Sequence, residues 1–295
     1  MTLILANFRD GGRDLGPPSA CHDRGMQALA SRLDRPDLAS LSAILDSDPI
    51  QNAYLRSELR LGGLDGSVWW GAFPQGRLRG VVLGGPLVVP WIPEPDDAAV
   101  LAGTLRDYPP RMVVGPRHHV AALHHGGHTL PAPRQVRDPQ PLLVLERSAF
   151  TGRPGAPVRR GTLQDLDVLT VAAAAMHREE MGVDPLEIDP VAWRNRMATL
   201  IGRGWSWSWM ERGEVLFKAE LSAWNPDVVQ IQGVYTHPRR RRQGIATAGM
   251  AALCGQLLDA IPACSLYVNA YNAGAMALYA RLGFRRWADF ATFLH

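Results

Sequence analysis

Residues Arg239 to Arg242 set four guanidinium groups in a row, and Gln243-Gly244-Ile245-Ala246 follows them directly. Upstream, Val234-Tyr235-Thr236-His237-Pro238 reads as a strand that ends at a proline. Downstream, Thr247 to about Ala260 carries an apolar, alanine-rich helical pattern. A strand that feeds a turn of small residues at a helix N-terminus presents unpaired backbone N–H groups to an anion. Small residues at Gly244 and Ala246 leave those amides accessible, and Arg241 and Arg242 add positive charge beside them. The chemistry predicted here is the binding of a diphosphate. No Gly-Lys-Ser/Thr closes the turn, so it is not a Walker-type loop.

A second motif follows. Ser265-Leu266-Tyr267-Val268-Asn269 reads as a short strand, and Asn272-x-x-Ala275-x-x-Leu278-Tyr279-x-x-Leu282-Gly283-Phe284 as a helix with its C-terminal stop. Together with Val234-x-Thr236-x-Pro238 and Arg241-x-x-Gly244-x-Ala246, this resembles the coenzyme A loop and the following helix of the GNAT superfamily of N-acetyltransferases. The resemblance covers roughly residues 156–295.

The resemblance implies an α/β (α+β) fold with a mixed, mostly antiparallel sheet flanked by helices, and acetyl-CoA as co-substrate. It implies that the backbone of Val234, Tyr235 and Thr236 pairs with the pantetheine arm, with an N–H near Val234 polarising the thioester carbonyl. Arg241, Arg242, Gln243, Gly244, Ile245, Ala246 and Thr247 then hold the diphosphate, and Asn269 and Asn272 contact the coenzyme arm. Tyr279 falls where the family keeps a general acid for the coenzyme A thiolate, and a phenol is matched in pKa to that task. Many relatives carry a basic glutamate on the strand before the loop, but Gln230 and Gln232 stand there. Glu220 on the neighbouring strand and Glu180, in what reads as a loop from Glu179 to Pro185, are the remaining candidates.

The bulk composition sets the frame. The chain has 295 residues, enough for two domains, and its 46% hydrophobic and 20% charged content is that of a globular protein. Net charge is only +3 and four of the positive charges lie in one run, so no broad nucleic-acid stripe is expected. Three scattered cysteines (Cys21, Cys254, Cys264) without a CxxC argue for a reducing compartment, the cytoplasm. No apolar run approaches the length of a membrane span. His118, His119, His124, His125 and His128 cluster without a carboxylate or thiolate among them, so no metal is expected. Trp205, Trp207 and Trp209 alternate at strand period and read as core.

The elements that must position these residues divide at Thr151-Gly152-Arg153-Pro154-Gly155-Ala156-Pro157, a linker pattern. We expect a leader over 1–25, a degenerate GNAT-like half over 26–150 and the acetyltransferase half over 158–295. In the first half helices are read at Met26–Leu33, Leu38–Leu45 and from Asp48 to Leu61, then a meander of three strands whose last stops near Val89 before Pro90. Leu87-Val88-Val89-Pro90-Trp91-Ile92-Pro93 stands where a second coenzyme loop belongs and supplies no row of amide donors. Asp46-x-Asp48-Pro49 and Phe217-Lys218-Ala219-Glu220 resemble a subgroup that joins an N-terminal domain of unknown function to a GNAT domain, and the two halves are similar in layout to mycothiol synthase. The expected acceptor is a primary amine, on a protein lysine or a small metabolite, and the expected assembly a monomer or homodimer.

Overall fold

Twelve strands and nine helices of α type form among residues 29–106, 109–126 and 130–295, which the computed structural model describes. The expected leader, Cys21 and His128 lie outside the described residues. Two units divide the chain. One holds 29–47, Glu58–Val136 and Ala291–His295, the other Asp48–Ser57 and Arg137–Phe290. The Thr151–Pro157 stretch lies wholly within the second of these.

In the first unit the strands are β1 (Leu29–Arg32), β2 (Val68–Phe73), β3 (Gly80–Gly84), β4 (Leu87–Trp91) and β5 (Met112–Pro116), in that spatial order. The helices are α1 (Leu38–Leu45), α3 (Ala98–Gly103) and α4 (Arg117–Gly126), while α2 (Ala53–Gly62) begins in the other unit. Of the helix expected over Met26–Leu33, residues 26–28 lie outside the described residues and Leu29–Arg32 is instead the edge strand β1, which pairs antiparallel with Trp70–Phe73. Helix α2 starts at Ala53, not Asp48, since the Asp48 carboxylate caps a preceding turn through the N–H groups of Ile50 and Gln51. Strand β4 runs on through Pro90. Its parallel ladder to β5 ends at Val88, so the missing N–H removes no bond on that side. Val82, Val88, Ile92, Leu101, Val113, Val120 and Leu123 are the centre of this unit's core.

In the other unit β6 (Gln135–Glu146), β7 (Arg159–Arg160), β8 (Ser206–Glu211), β9 (Glu214–Trp224), β10 (Val228–Thr236) and β11 (Ala263–Tyr267) run in the spatial order β6-β11-β10-β9-β8-β7. The helices are α5 (Leu166–Met181), α6 (Pro185–Ile188), α7 (Pro190–Gly202), α8 (Ile245–Leu258) and α9 (Ala273–Leu282). The final strand β12 (Arg285–Leu294) starts well before the expected Ala291, and its last residues belong to the first unit. Asp165 and Thr162 form a capping box at the start of α5, and the helix runs to Met181, a turn past the expected end, where Gly182 closes it. Glu179 and Glu180 are therefore helical rather than in a loop. Trp205 and Trp207 are buried in the core and Trp209 packs against it.

Candidate active site

Strand β10 is parallel to β11 only over Val228–Gln230, paired with Ala263–Ser265. The other edge of β11 pairs along its whole length with β6. From Ile231 onward the pairing of β10 with β11 stops, which leaves an opening in the ladder on that edge of β10. On the β9 side the register gains one residue: Gln232 opposes Glu220 and Tyr235 opposes Lys218, so Gly233 and Val234 share the place opposite Ala219. This is a β-bulge, and Gly233 takes the positive φ of 59° that it needs.

At the end of β10 the chain turns through Pro238–Arg240 and enters α8 at Gly244. Arg242 and Gly244 have positive φ, 61° and 79°. A Cβ at Gly244 meets nothing within 4 Å, so glycine is required there by backbone conformation and not by crowding from the fold. The N-terminal N–H groups of a fourteen-residue helix open onto this turn. Arg242 and Gln243 are exposed, while Ile245, Ala246 and Thr247 are half-buried. Gln243 donates to the Arg239 carbonyl and stiffens the turn (3.0 Å). Arg241 reaches back to the Thr236 carbonyl (3.1 Å) and pairs with Glu179 on α5 (2.6 Å), which makes it a brace for the loop as well as a charge beside it.

The two candidate bases stand in opposite settings. Glu220 is completely buried, with one oxygen 2.7 Å from Lys218 Nζ and the other 3.0 Å from an Arg196 nitrogen. Burial pushes its carboxyl up, but Lys218 and Arg196 more than offset this and hold it at about 2. A carboxylate with both oxygens committed to cations is a poor proton acceptor, which weighs against Glu220 as the base. Glu180 lies in the last turn of α5, and its Oε1 is buried with no hydrogen-bond partner among the described residues. Burial pushes this carboxyl up to about 7, with Arg137 and Lys218 opposing and Glu220 adding. That is the range a general base at neutral pH requires.

Tyr279 is buried on α9 with its ring 5.5 Å from Phe284. Burial, then the neighbouring Cys254 and Glu180, raise its phenol above the ordinary value. The charge of Glu180 also reaches Tyr267 at the end of β11. Tyr235 is buried and stands opposite Lys218 in the β9–β10 ladder, so its backbone faces β9. Two asparagines shape the turn from β11 into α9. Asn272 caps α9 by accepting from the Ala275 N–H (3.1 Å), and Asn269 is buried between Gln140 and Tyr271.

Sequence reasoning missed Lys218, Arg196, Arg137 and His177 as members of this region. Arg137 donates to the Glu180 carbonyl (2.9 Å), and His177 is one turn before Glu180 on the same face of α5. Burial, then the charge of Arg196, lower the His177 pKa from its ordinary value, with Asp184 opposing. The one local signal was Lys218-x-Glu220, a spacing that sets both side chains on one face of a strand.

The sequence of 175–284 matches the acetyltransferase (GNAT) family, and 67–169 matches a domain of unknown function, DUF4081. No curated protein matches the chain. Solved structures share its fold: a GNAT-family acetyltransferase from Colwellia psychrerythraea (13% identity, 90% of this chain and 98% of that one, TM-score 0.60) and a Drosophila melanogaster protein (15%, 91% and 99%, 0.61). A tandem GNAT protein from the clavulanic acid biosynthesis pathway aligns over 91% of this chain and 98% of its own, at 13% identity and TM-score 0.55. The architecture is thus tandem GNAT-like, with the GNAT domain carrying the arginine loop. Among the described residues no group of three or more His, Cys, Asp or Glu is arranged to hold a metal, and no helix is long and apolar enough to cross a membrane.

Proposed function

We propose that this protein is an acetyl-CoA-dependent N-acetyltransferase that transfers the acetyl group to a primary amine by direct attack in a ternary complex. One arrangement carries the reading: β10 opens away from β11 after Gln230, bears a bulge at Gly233, and ends at the Arg241–Ala246 turn. Acetyl-CoA fits this set of donors. Amides at the start of α8, with Arg242 beside them and Arg241 behind, suit its diphosphate. The edge of β10 beyond its pairing with β11, at Val234 and at Thr236, whose carbonyl also accepts from Arg241, suits the amide groups of a pantetheine arm.

Bound acetyl-CoA supplies the activated acetyl thioester. The Val234 N–H donates to its carbonyl oxygen, where negative charge develops. Glu180 takes a proton from the acceptor's ammonium, so the neutral amine attacks the carbonyl carbon. As the C–N bond forms and the C–S bond breaks, Tyr279 gives its proton to the departing sulfur. The phenolate regains one from the acetylated nitrogen. The acceptor is a lysine side chain or a small amine, and the buried free thiols of Cys254 and Cys264 suit a cytoplasmic setting.

A second reading, an acyl-CoA sensor without turnover, is favoured by Gln230 and Gln232 on β10 and by the locked state of Glu220. Calorimetry with acetyl-CoA, followed by an amine panel with a free-thiol readout, tests both. Binding with thiol release on at least one amine supports the transferase. Binding without release on any amine supports the sensor, and no binding defeats both.

A further inference from the structure

Lys218 and Glu220 are two residues apart on β9, so their side chains leave the same face of the strand. Both are fully buried, and both are charged partners in one chain. Arg196 on α7 donates to Glu220 Oε2 (3.0 Å), Lys218 donates to Glu220 Oε1 (2.7 Å), and Lys218 also donates to the Gly233 carbonyl (3.1 Å). The chain of charges therefore ends on a single backbone atom in the bulge of β10. Glycine is needed there twice over, since an added Cβ would come within 3.2 Å of the Glu220 carboxyl.

Stability does not account for this chain. Desolvating each ion costs several kcal/mol, and apolar residues of similar volume in place of a buried triad are often neutral or stabilising. A peptide group is planar and trans, so its C=O and N–H point in opposite directions. The unit whose oxygen is Gly233 O has the Val234 N–H as its hydrogen. An ammonium fixed on that oxygen sets the direction of the Val234 N–H, at a point where the β9–β10 ladder does not. It also draws electron density from the amide and makes the N–H a stronger donor.

We propose that Lys218, held by Glu220 and Arg196, is a positioning residue that aims and polarises the Val234 N–H for the acyl carbonyl. The proposal rests on the acetyl-CoA reading of the opening between β10 and β11. It gives Glu220 a task other than base: it fixes Lys218.

The test uses acetyl-CoA labelled with carbon-13 at the thioester carbonyl and isotope-edited infrared difference spectra, so no acceptor is needed. In the wild-type protein the bound carbonyl stretch is expected below that of free acetyl-CoA. Lys218→Met leaves Glu220 with one partner and is expected to be unstable, so the decisive variant is Arg196→Met/Lys218→Met/Glu220→Leu, which removes all three charges. We expect it to fold, to bind acetyl-CoA within about threefold of wild type, and to lose the carbonyl shift. With an identified amine, kcat should fall about 10²–10³-fold, the size of one lost oxyanion donor, with little change in KM. A triple variant that binds and retains the full shift overturns the proposal and leaves the acetyl-CoA reading standing. Absence of binding to the wild-type protein overturns that reading itself.

Discussion

In the unit that holds Glu58–Val136, β4 and β5 run parallel for Leu87–Val88 against Met112–Val113. In the other, β10 and β11 do so for Val228–Gln230 against Ala263–Ser265. Each pair is the parallel step in an otherwise antiparallel run of neighbours, and each leading strand continues past the last paired residue. What fills the gap differs. On β4 the continuation is Pro90-Trp91, met by His119 from α4, which touches the Trp91 ring edge-on at 4.6 Å and hydrogen-bonds the Pro90 backbone. Burial, with the charge of His118 adding, pushes that imidazole down to about 3, so the plug is neutral. On β10 the continuation is backbone with a bulge. The turns that follow also contrast: Glu94, Asp96 and Asp97 after β4, against Arg239 to Arg242 after β10. Asp97 is buried and gripped by Arg79 through two bonds of 2.7 Å. One topology thus serves an apolar plug with an acidic turn and an opening with a basic one, so the site is made by the residues and not by the fold.

The strongest way to break this comparison is to make the second turn resemble the first. Gly244→Glu adds an anion where the diphosphate is proposed to sit, and calorimetry should find acetyl-CoA affinity reduced at least about 100-fold. A surface substitution at positive φ costs on the order of 1–3 kcal/mol of strain, so the fold should survive. Unchanged affinity would remove the loop from the site.

The proton groups come next. Glu180→Gln and Tyr279→Phe should each lower turnover about 10²–10⁴-fold with acetyl-CoA affinity little changed. Wild-type kcat/KM should rise with pH through about 7 as Glu180 loses its proton, under the combined influence of Arg137 on β6, Lys218 and Glu220 on β9, and the phenols of Tyr267 and Tyr279. Stability has the opposite sense. The folded-state value is raised from 4.5, so the contribution of Glu180 is full below pH 4.5 and is lost as pH rises through about 7. Melting curves across that range should flatten in Glu180→Gln. A wild-type rate for Tyr279→Phe would make the phenol structural, with water protonating the thiolate.

The plugged half predicts a null on binding. Titration should give one acetyl-CoA per chain, and Trp91→Ala should destabilise by about 3–5 kcal/mol without creating a second site, because the acidic turn remains. A stoichiometry of two in either protein would end the contrast. The smallest effect sharpens it: Glu179→Gln releases Arg241 from its partner, and acetyl-CoA should bind a few-fold tighter at low salt. Exposed pairs of this kind are worth only about 0–1 kcal/mol, so no change in melting is expected.

Parts of this were legible in the chain alone because they are local. The helix end at Gly182 had its signal in the glycine itself, but the charged run Arg178-Glu179-Glu180 hid the last turn of α5 from an apolar-period reading. Strand β1 had no such signal, since Leu29–Arg32 is a strand only by pairing with β2. Pro90 reads as a strand stop wherever a ladder needs its N–H, and only the early end of the β4–β5 pairing makes it harmless. Asn272 was read as a cofactor contact, yet its position just before a helix was also the signature of an N-cap.

By itself the sequence determined the loop and its likeness to the GNAT family, because a strand end, arginines, a glycine of positive φ and a helix start lie within a few consecutive residues. What surrounds each candidate carboxylate was decided only by the tertiary structure. Glu220 is held ionised by Arg196 from another helix, and Glu180 is desolvated beside Arg137 from a distant strand. A pKa is set by what surrounds a group in space, and these partners meet only when the chain has folded.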